Sequence, residues 1–103
     1  MPDVTEDDIK KMYHLMVLTR TFDDKLFKLQ RSGKIGTYAQ IKGEEASEIG
    51  SGLALEDDDW MVPSFRELGV YIARDLDRVS LVQAWNGDTR AFENIVDTKN
   101  LPV

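Results

Sequence analysis

The segment Pro63-Ser-Phe-Arg-Glu67 carries the residues best suited to chemistry with an anion. Ser64 followed by Glu67 has the spacing of a capping box and predicts a helix that starts there and continues through Leu68, Val70, Tyr71, Ile72 and Ala73. Arg66 then falls in a first turn, where exposed amides carry partial positive charge and a cation is disfavoured by up to ~1 kcal/mol. Two readings resolve that conflict. Either Arg66 is a surface residue bonded to Glu67 or Glu45, or its guanidinium and the helix terminus share an anion, most naturally a phosphate or diphosphate clamped bidentately. Phe65, beside it, packs either into the core or against a ring of the ligand.

Other chemistry is poorly served. The sequence has no cysteine and one histidine, His14, so a disulfide framework and a thiolate metal site are excluded, and His14 on a long helix reads as a structural or surface residue. Serines occur without a suitably placed histidine, and neither Gly-x-Gly-x-x-Gly nor a Walker phosphate loop is present. The acidic run Glu56-Asp57-Asp58-Asp59 reads as a solvated turn, because adjacent acids on a loop rarely converge as spaced oxygen ligands do.

Four helices position these residues. Thr5 caps the first, with Asp8 completing a box-like Thr-x-x-acid pattern and Val4 placed to staple on Ile9. One apolar stripe runs Ile9, Met12, Tyr13, Met16 and a second runs Leu15, Leu18, Phe22, Leu26, Leu29, until Gly33 ends the pattern. Two stripes require cover on more than one side, from a small bundle or from a partner. Lys34 to Gly43 reads as an extended stretch or tight loop, and a second helix follows from about Glu44 to Leu55. There the small residues Ala46, Gly50 and Ala54, flanked by Ser47 and Ser51, suggest close packing of another backbone, which would offset the ~1 kcal/mol that Gly50 and Gly52 each cost a helix. Trp60-Met61-Val62 is a short buried-strand candidate ahead of the Arg66 helix. A fourth helix starts near Asp77, passes through Val79, Val82 and Trp85, and stops at Asn86-Gly87. From Asp88 onward the chain reads as polar and loop-like.

At 103 residues the chain fits a single segment, 1–103, near the size that buries somewhat over ~60% of its unfolded surface. Its 42% hydrophobic and 31% charged composition is that of a folded globular chain. The net charge of -6, without a basic cluster, argues against nucleic acid and anionic membrane as partners. No run approaches the ~20 apolar residues of a membrane span, and the acidic start is unlike a signal peptide, so a cytoplasmic location is expected.

In order along the chain, Tyr13-His-Leu-Met-Val-Leu-Thr-Arg-Thr-Phe-Asp-Asp24, Leu29-Gln-Arg-Ser-Gly-Lys-Ile-Gly36, Gly43-Glu-Glu-Ala46 with Gly50 and Leu53-Ala-Leu55, Asp59-Trp60 with Pro63-Ser-Phe-Arg-Glu67 and Gly69, and Asn100-Leu-Pro-Val103 resemble the opening blocks of one family. It is the alpha subunit of the thiamin-diphosphate-dependent, decarboxylating component of 2-oxo acid dehydrogenase complexes, which act on pyruvate, branched-chain 2-oxo acids or acetoin. The resemblance implies the amino-terminal segment of an α/β thiamin-diphosphate-binding fold, itself mainly α-helical with one or two short strands. It implies a full subunit that decarboxylates a 2-oxo acid and passes the acyl group to lipoyl groups. Expected partners are a beta subunit, in an alpha2-beta2 assembly, and the lipoyl acyltransferase core. The expected cofactor is thiamin diphosphate with Mg2+.

By position, the family's diphosphate-binding Tyr-Arg pair falls on Phe65 and Arg66, and Phe65 departs from it by lacking the hydroxyl. Leu68 stands where pyruvate-type relatives can carry a histidine, which leans towards branched-chain substrates. The family's Gly-Asp-Gly metal motif is expected beyond Val103, so this chain is expected to hold no catalytic residue or metal ligand and, by itself, no activity. The competing reading is a non-catalytic helical module that pairs through Leu15, Leu18, Phe22, Leu26 and Leu29.

Overall fold

The computed structural model describes residues 3–62, 66–87 and 90. They form α1 (Glu6–Arg31), α2 (Glu45–Ala54), α3 (Leu68–Ala73) and α4 (Arg78–Trp85). Helix α1 begins as its sequence dictates: the Thr5 hydroxyl accepts from the Asp8 amide at 3.1 Å and the Asp8 carboxylate accepts from the Thr5 amide at 3.0 Å. Those bonds also hold the Asp8 carboxyl below its usual range. The helix ends at Arg31, and Gly33 takes the left-handed φ of 81° that a side chain would disfavour.

The two stripes of α1 have different fates. Leu26 is fully buried, and Leu15, Leu18, Phe22 and Leu29 pack against a core of Ile35, Ile41, Met61, Leu68, Tyr71, Ile72 and Leu81. Burying each such aliphatic side chain contributes about 1.5–3 kcal/mol. The face read as a pairing seam is therefore turned inward, and pairing through it would require unpacking the core. On the other stripe Ile9 and Tyr13 are 58% and 69% exposed, and Val4 is exposed as well, so the expected staple buries neither partner.

Among the described residues no strand forms, which corrects the expectation of one or two. Trp60 and Val62 are exposed and Met61, buried between them, makes an isolated bridge, so the segment alternates like a strand but has no neighbour to pair with over its length. Helix α2 runs as expected, yet its close approach lies on a different face. Ala46, Gly50 and Ala54 are exposed. A Cβ at Gly50 would meet nothing within 4 Å, whereas one at Gly52 would stand 2.7 Å from the Ala73 Cβ and 3.2 Å from the Val70 Cα. Gly52 is thus what lets α3 lie against α2.

The fourth helix follows its reading closely: the Asp77 carboxylate accepts from the Ser80 amide at 3.2 Å and from its hydroxyl at 2.9 Å, and Gly87, with φ 79°, follows the helix end. Trp85 meets Tyr38 edge-on with ring centroids 5.0 Å apart, tying α4 to the loop after α1. Among the described residues no helix is long and apolar enough to cross a membrane.

Candidate functional site

Helix α2 packs against both α1 and α3, and its buried stripe is Glu45, Glu48, Ile49 and Gly52. The i, i+3, i+4, i+7 spacing is that of a core face, with carboxylates at two of its four positions.

On the α1 side the charge is met in full. The Arg20 guanidinium straddles the Glu45 carboxylate, Nε donating to Oε2 at 3.2 Å and Nη2 to Oε1 at 2.9 Å. The Gly43 amide donates to both oxygens at 3.1 Å, from a backbone with φ 98°. The Arg20 hydrogen bonds hold the Glu45 carboxyl below its usual range against the opposing effect of burial. One turn along α1 from Arg20, buried Asp23 accepts at Oδ1 from the Tyr38 hydroxyl and from the Ile41 amide at 2.9 Å, which pins the 34–43 loop to α1. Burial and the Asp23 charge push the Tyr38 hydroxyl well above the phenol range. Asp23 Oδ2 and the Thr19 hydroxyl are buried beside this contact without hydrogen-bond partners.

On the α3 side, Glu48 Oε1 accepts from the Gly69 amide at 2.8 Å, and Oε2 is buried with no hydrogen-bond partner. Burial raises the Glu48 carboxyl to about 7, the Gly69 amide opposes that rise, and the Glu44 and Glu67 charges add to it. Gly69 is needed for this contact, since a Cβ there would come within 2.7 Å of the Glu48 Cβ.

Arg66 lies just beyond this junction and not where the capping-box reading put it. Helix α3 starts at Leu68 with Glu67 at its N-cap and no side-chain cap bond of its own, so Arg66 precedes the helix. Glu67 Oε2 accepts from the Arg66 amide at 3.0 Å, and Ser64 lies outside the described residues. The exposed Arg66 guanidinium donates from Nη1 to the Gln40 carbonyl at 2.6 Å, joining the start of α3 to the 34–43 loop. An anion site built on the α3 terminus is also corrected: the helix has six residues, and its Gly69 amide is already bonded to Glu48. What remains for an anion is the guanidinium.

The other candidates separate cleanly. Phe65 lies outside the described residues. Leu68 is 3% exposed inside the core, so packing accounts for an apolar side chain there and it gives no guide to substrate. His14 is exposed on α1, and Glu56 to Asp59 form an exposed turn in which the Asp59 carboxylate accepts from the Glu56 amide at 2.7 Å. Among the described residues no group of three histidine or acidic side chains is placed to hold a metal ion. The sequence reading missed Arg20, Asp23 and Glu48, and offered Glu45 to Arg66 where the structure gives it to Arg20. For Asp23 the signal is helical spacing: Thr19, Asp23 and Leu26 form the buried line of α1, visible once polar residues are admitted to the periodicity.

The family model for the dehydrogenase E1 component matches residues 13–100, and the chain belongs to that family. Among its relatives, the 3-methyl-2-oxobutanoate dehydrogenase subunit alpha of Mycobacterium tuberculosis is 36% identical over 85 residues, covering 82% of this chain and 23% of the relative. The pyruvate dehydrogenase E1 component subunit alpha of Mycoplasma genitalium is 35% identical over 100 residues, covering 97% of this chain and 28% of the relative. That of Bacillus subtilis is 41% identical over 68 residues, covering 66% and 18% respectively. The chain thus spans about a quarter of the length of the first two. No solved structure matches it.

Proposed function

We propose that this chain is the amino-terminal segment of a 2-oxo acid dehydrogenase alpha subunit and contributes Phe65 and Arg66 to the binding of thiamin diphosphate. The observation that carries the reading is the exposed Arg66 guanidinium, braced against the Gln40 carbonyl in the block that resembles the family's diphosphate-binding motif. A planar guanidinium suits two phosphate oxygens at once. Bound thiamin diphosphate would supply the electron sink that lets a 2-oxo acid lose CO2. The role of the chain is to bind and orient: Glu45 locks Arg20, Asp23 locks Tyr38 and the Ile41 amide, and the loop so fixed holds Arg66 through Gln40.

The remainder of the reaction falls to other parts of the assembled enzyme. Magnesium ligands lie in the rest of the subunit, which assembles with a beta subunit as alpha2-beta2, adopts the α/β thiamin-diphosphate fold as a whole and delivers the acyl group to lipoyl groups on an acyltransferase core, in the cytoplasm. The names of the relatives support pyruvate and 3-methyl-2-oxobutanoate as the substrates to try. The test is CO2 release from each acid by the assembled enzyme, with and without thiamin diphosphate. Turnover of one acid that depends on the cofactor is expected, with none from residues 1–103 alone. Cofactor-independent turnover, or any by the short chain, contradicts the reading.

A further inference from the structure

We propose that Glu48 is a positioning residue: its carboxyl caps α3 from the neighbouring helix and thereby fixes the Arg66–Gly69 segment that presents the guanidinium. The inference rests in part on the diphosphate reading above. Helix α3 has no side-chain cap of its own, and the Gly69 amide in its first turn is satisfied across the junction by Glu48 Oε1 at 2.8 Å. Glu48 is 8% exposed, and Gly69 supplies the space its Cβ occupies. Both residues sit deep in the α2–α3 contact, and Gly69 is three positions from Arg66 along the chain. A surface cap would fray. A buried one ties the segment to α2.

The second oxygen gives the device a pH dependence. Oε2 is buried without a partner, and the charged groups that face the carboxyl are Glu44 at the start of α2 and Glu67 at the start of α3, with the Tyr38 hydroxyl of the loop sensing its charge. All are acidic, so an ionised Glu48 is repelled, and the Gly69 amide offsets only part of that. Its folded-state value of about 7 lies above the ordinary 4.5, so between these values the folded protein holds a proton that the unfolded chain gives up. Stability therefore falls as pH rises through that window, and the loss is complete above about 7. A glutamine keeps the acceptor for Gly69 and removes the charge.

The experiment compares wild type, Glu48→Gln and Glu48→Ala in the intact subunit assembled with its partner. In the absence of cofactor, hydrogen exchange at the Gly69 amide should be equally slow in wild type and Glu48→Gln near pH 6 and about tenfold faster in Glu48→Ala. Calorimetry with thiamin diphosphate should show Glu48→Ala binding about tenfold more weakly at about pH 6 and about pH 8, with Glu48→Gln matching wild type at the lower pH and binding more tightly at the higher. Equal Gly69 exchange in all three proteins overturns the capping role. Altered exchange with affinities unchanged in both variants, while Arg66→Ala weakens binding, overturns the positioning role. If Arg66→Ala is also silent, the diphosphate reading is what falls, and exchange alone decides on Glu48. Should Glu48→Ala not fold, the pH dependence of Glu48→Gln decides: a profile parallel to wild type overturns the proposal.

Discussion

Glu45 and Glu48 lie one turn apart on α2, both buried, and they meet opposite surroundings. Towards α1, Glu45 receives a guanidinium fork and a backbone amide, and its carboxyl is held below the ordinary range. Towards α3, Glu48 receives one amide and two neighbouring acids, and its carboxyl rises to about 7. The difference separates two ways of using a buried acid. An ion pair with full hydrogen bonding makes the α1 junction a fixed platform for the 34–43 loop. A carboxyl with one oxygen satisfied makes the α3 junction responsive to protons beside the segment that carries Arg66.

The comparison breaks first where the platform is cut. Asp23→Ala leaves the Tyr38 hydroxyl and the buried Ile41 amide without their acceptor, and should cost about 3 kcal/mol in urea unfolding. A cost under about 1 kcal/mol would mean the loop is held by something else. The α3 junction is sensitive to volume as well as to charge. Gly52→Ala forces a Cβ to 2.7 Å from the Ala73 Cβ and should destabilise by about 2 kcal/mol. Gly50→Ala, two residues away in open space, should stabilise by up to about 1 kcal/mol through helix propensity. Equal effects at the two glycines, read from thermal unfolding of the intact protein, would show that the close approach is not where Gly52 places it.

Much of the fold could be read from the residue pattern, and most of the failures share a cause. Caps and stops are local chemistry, so Thr5 with Asp8, the Gly33 turn, the Asp77 cap and the Asn86-Gly87 end emerge from the sequence directly. The inward stripe Leu18, Phe22, Leu26, Leu29 is equally plain. Apart from the Val4–Ile9 staple and the placing of Arg66 inside α3, which are local readings, what failed depends on partners distant in sequence. Arg20 meets Glu45 and Glu48 meets Gly69 across separations of 25 and 21 residues, which no local pattern signals. The small-residue row at Ala46, Gly50 and Ala54 has the size of a packing face but is exposed, because size alone does not fix which side of α2 meets α3. Arg66 was singled out by a supposed conflict with a helix terminus. It lies before that helix, and its standing now comes from its brace on Gln40 and its place in the family block.

That standing is also where the functional account is most exposed. Calorimetric titration of thiamin diphosphate, with magnesium, into the assembled enzyme and its Arg66→Ala variant tests it at a residue outside the folded core. Loss of the guanidinium should weaken binding about 30-fold, or ~2 kcal/mol, while the lost bond to the Gln40 carbonyl lowers the melting temperature of the cofactor-free protein only slightly. Equal affinity in the two proteins would contradict the assignment of Arg66 to the diphosphate.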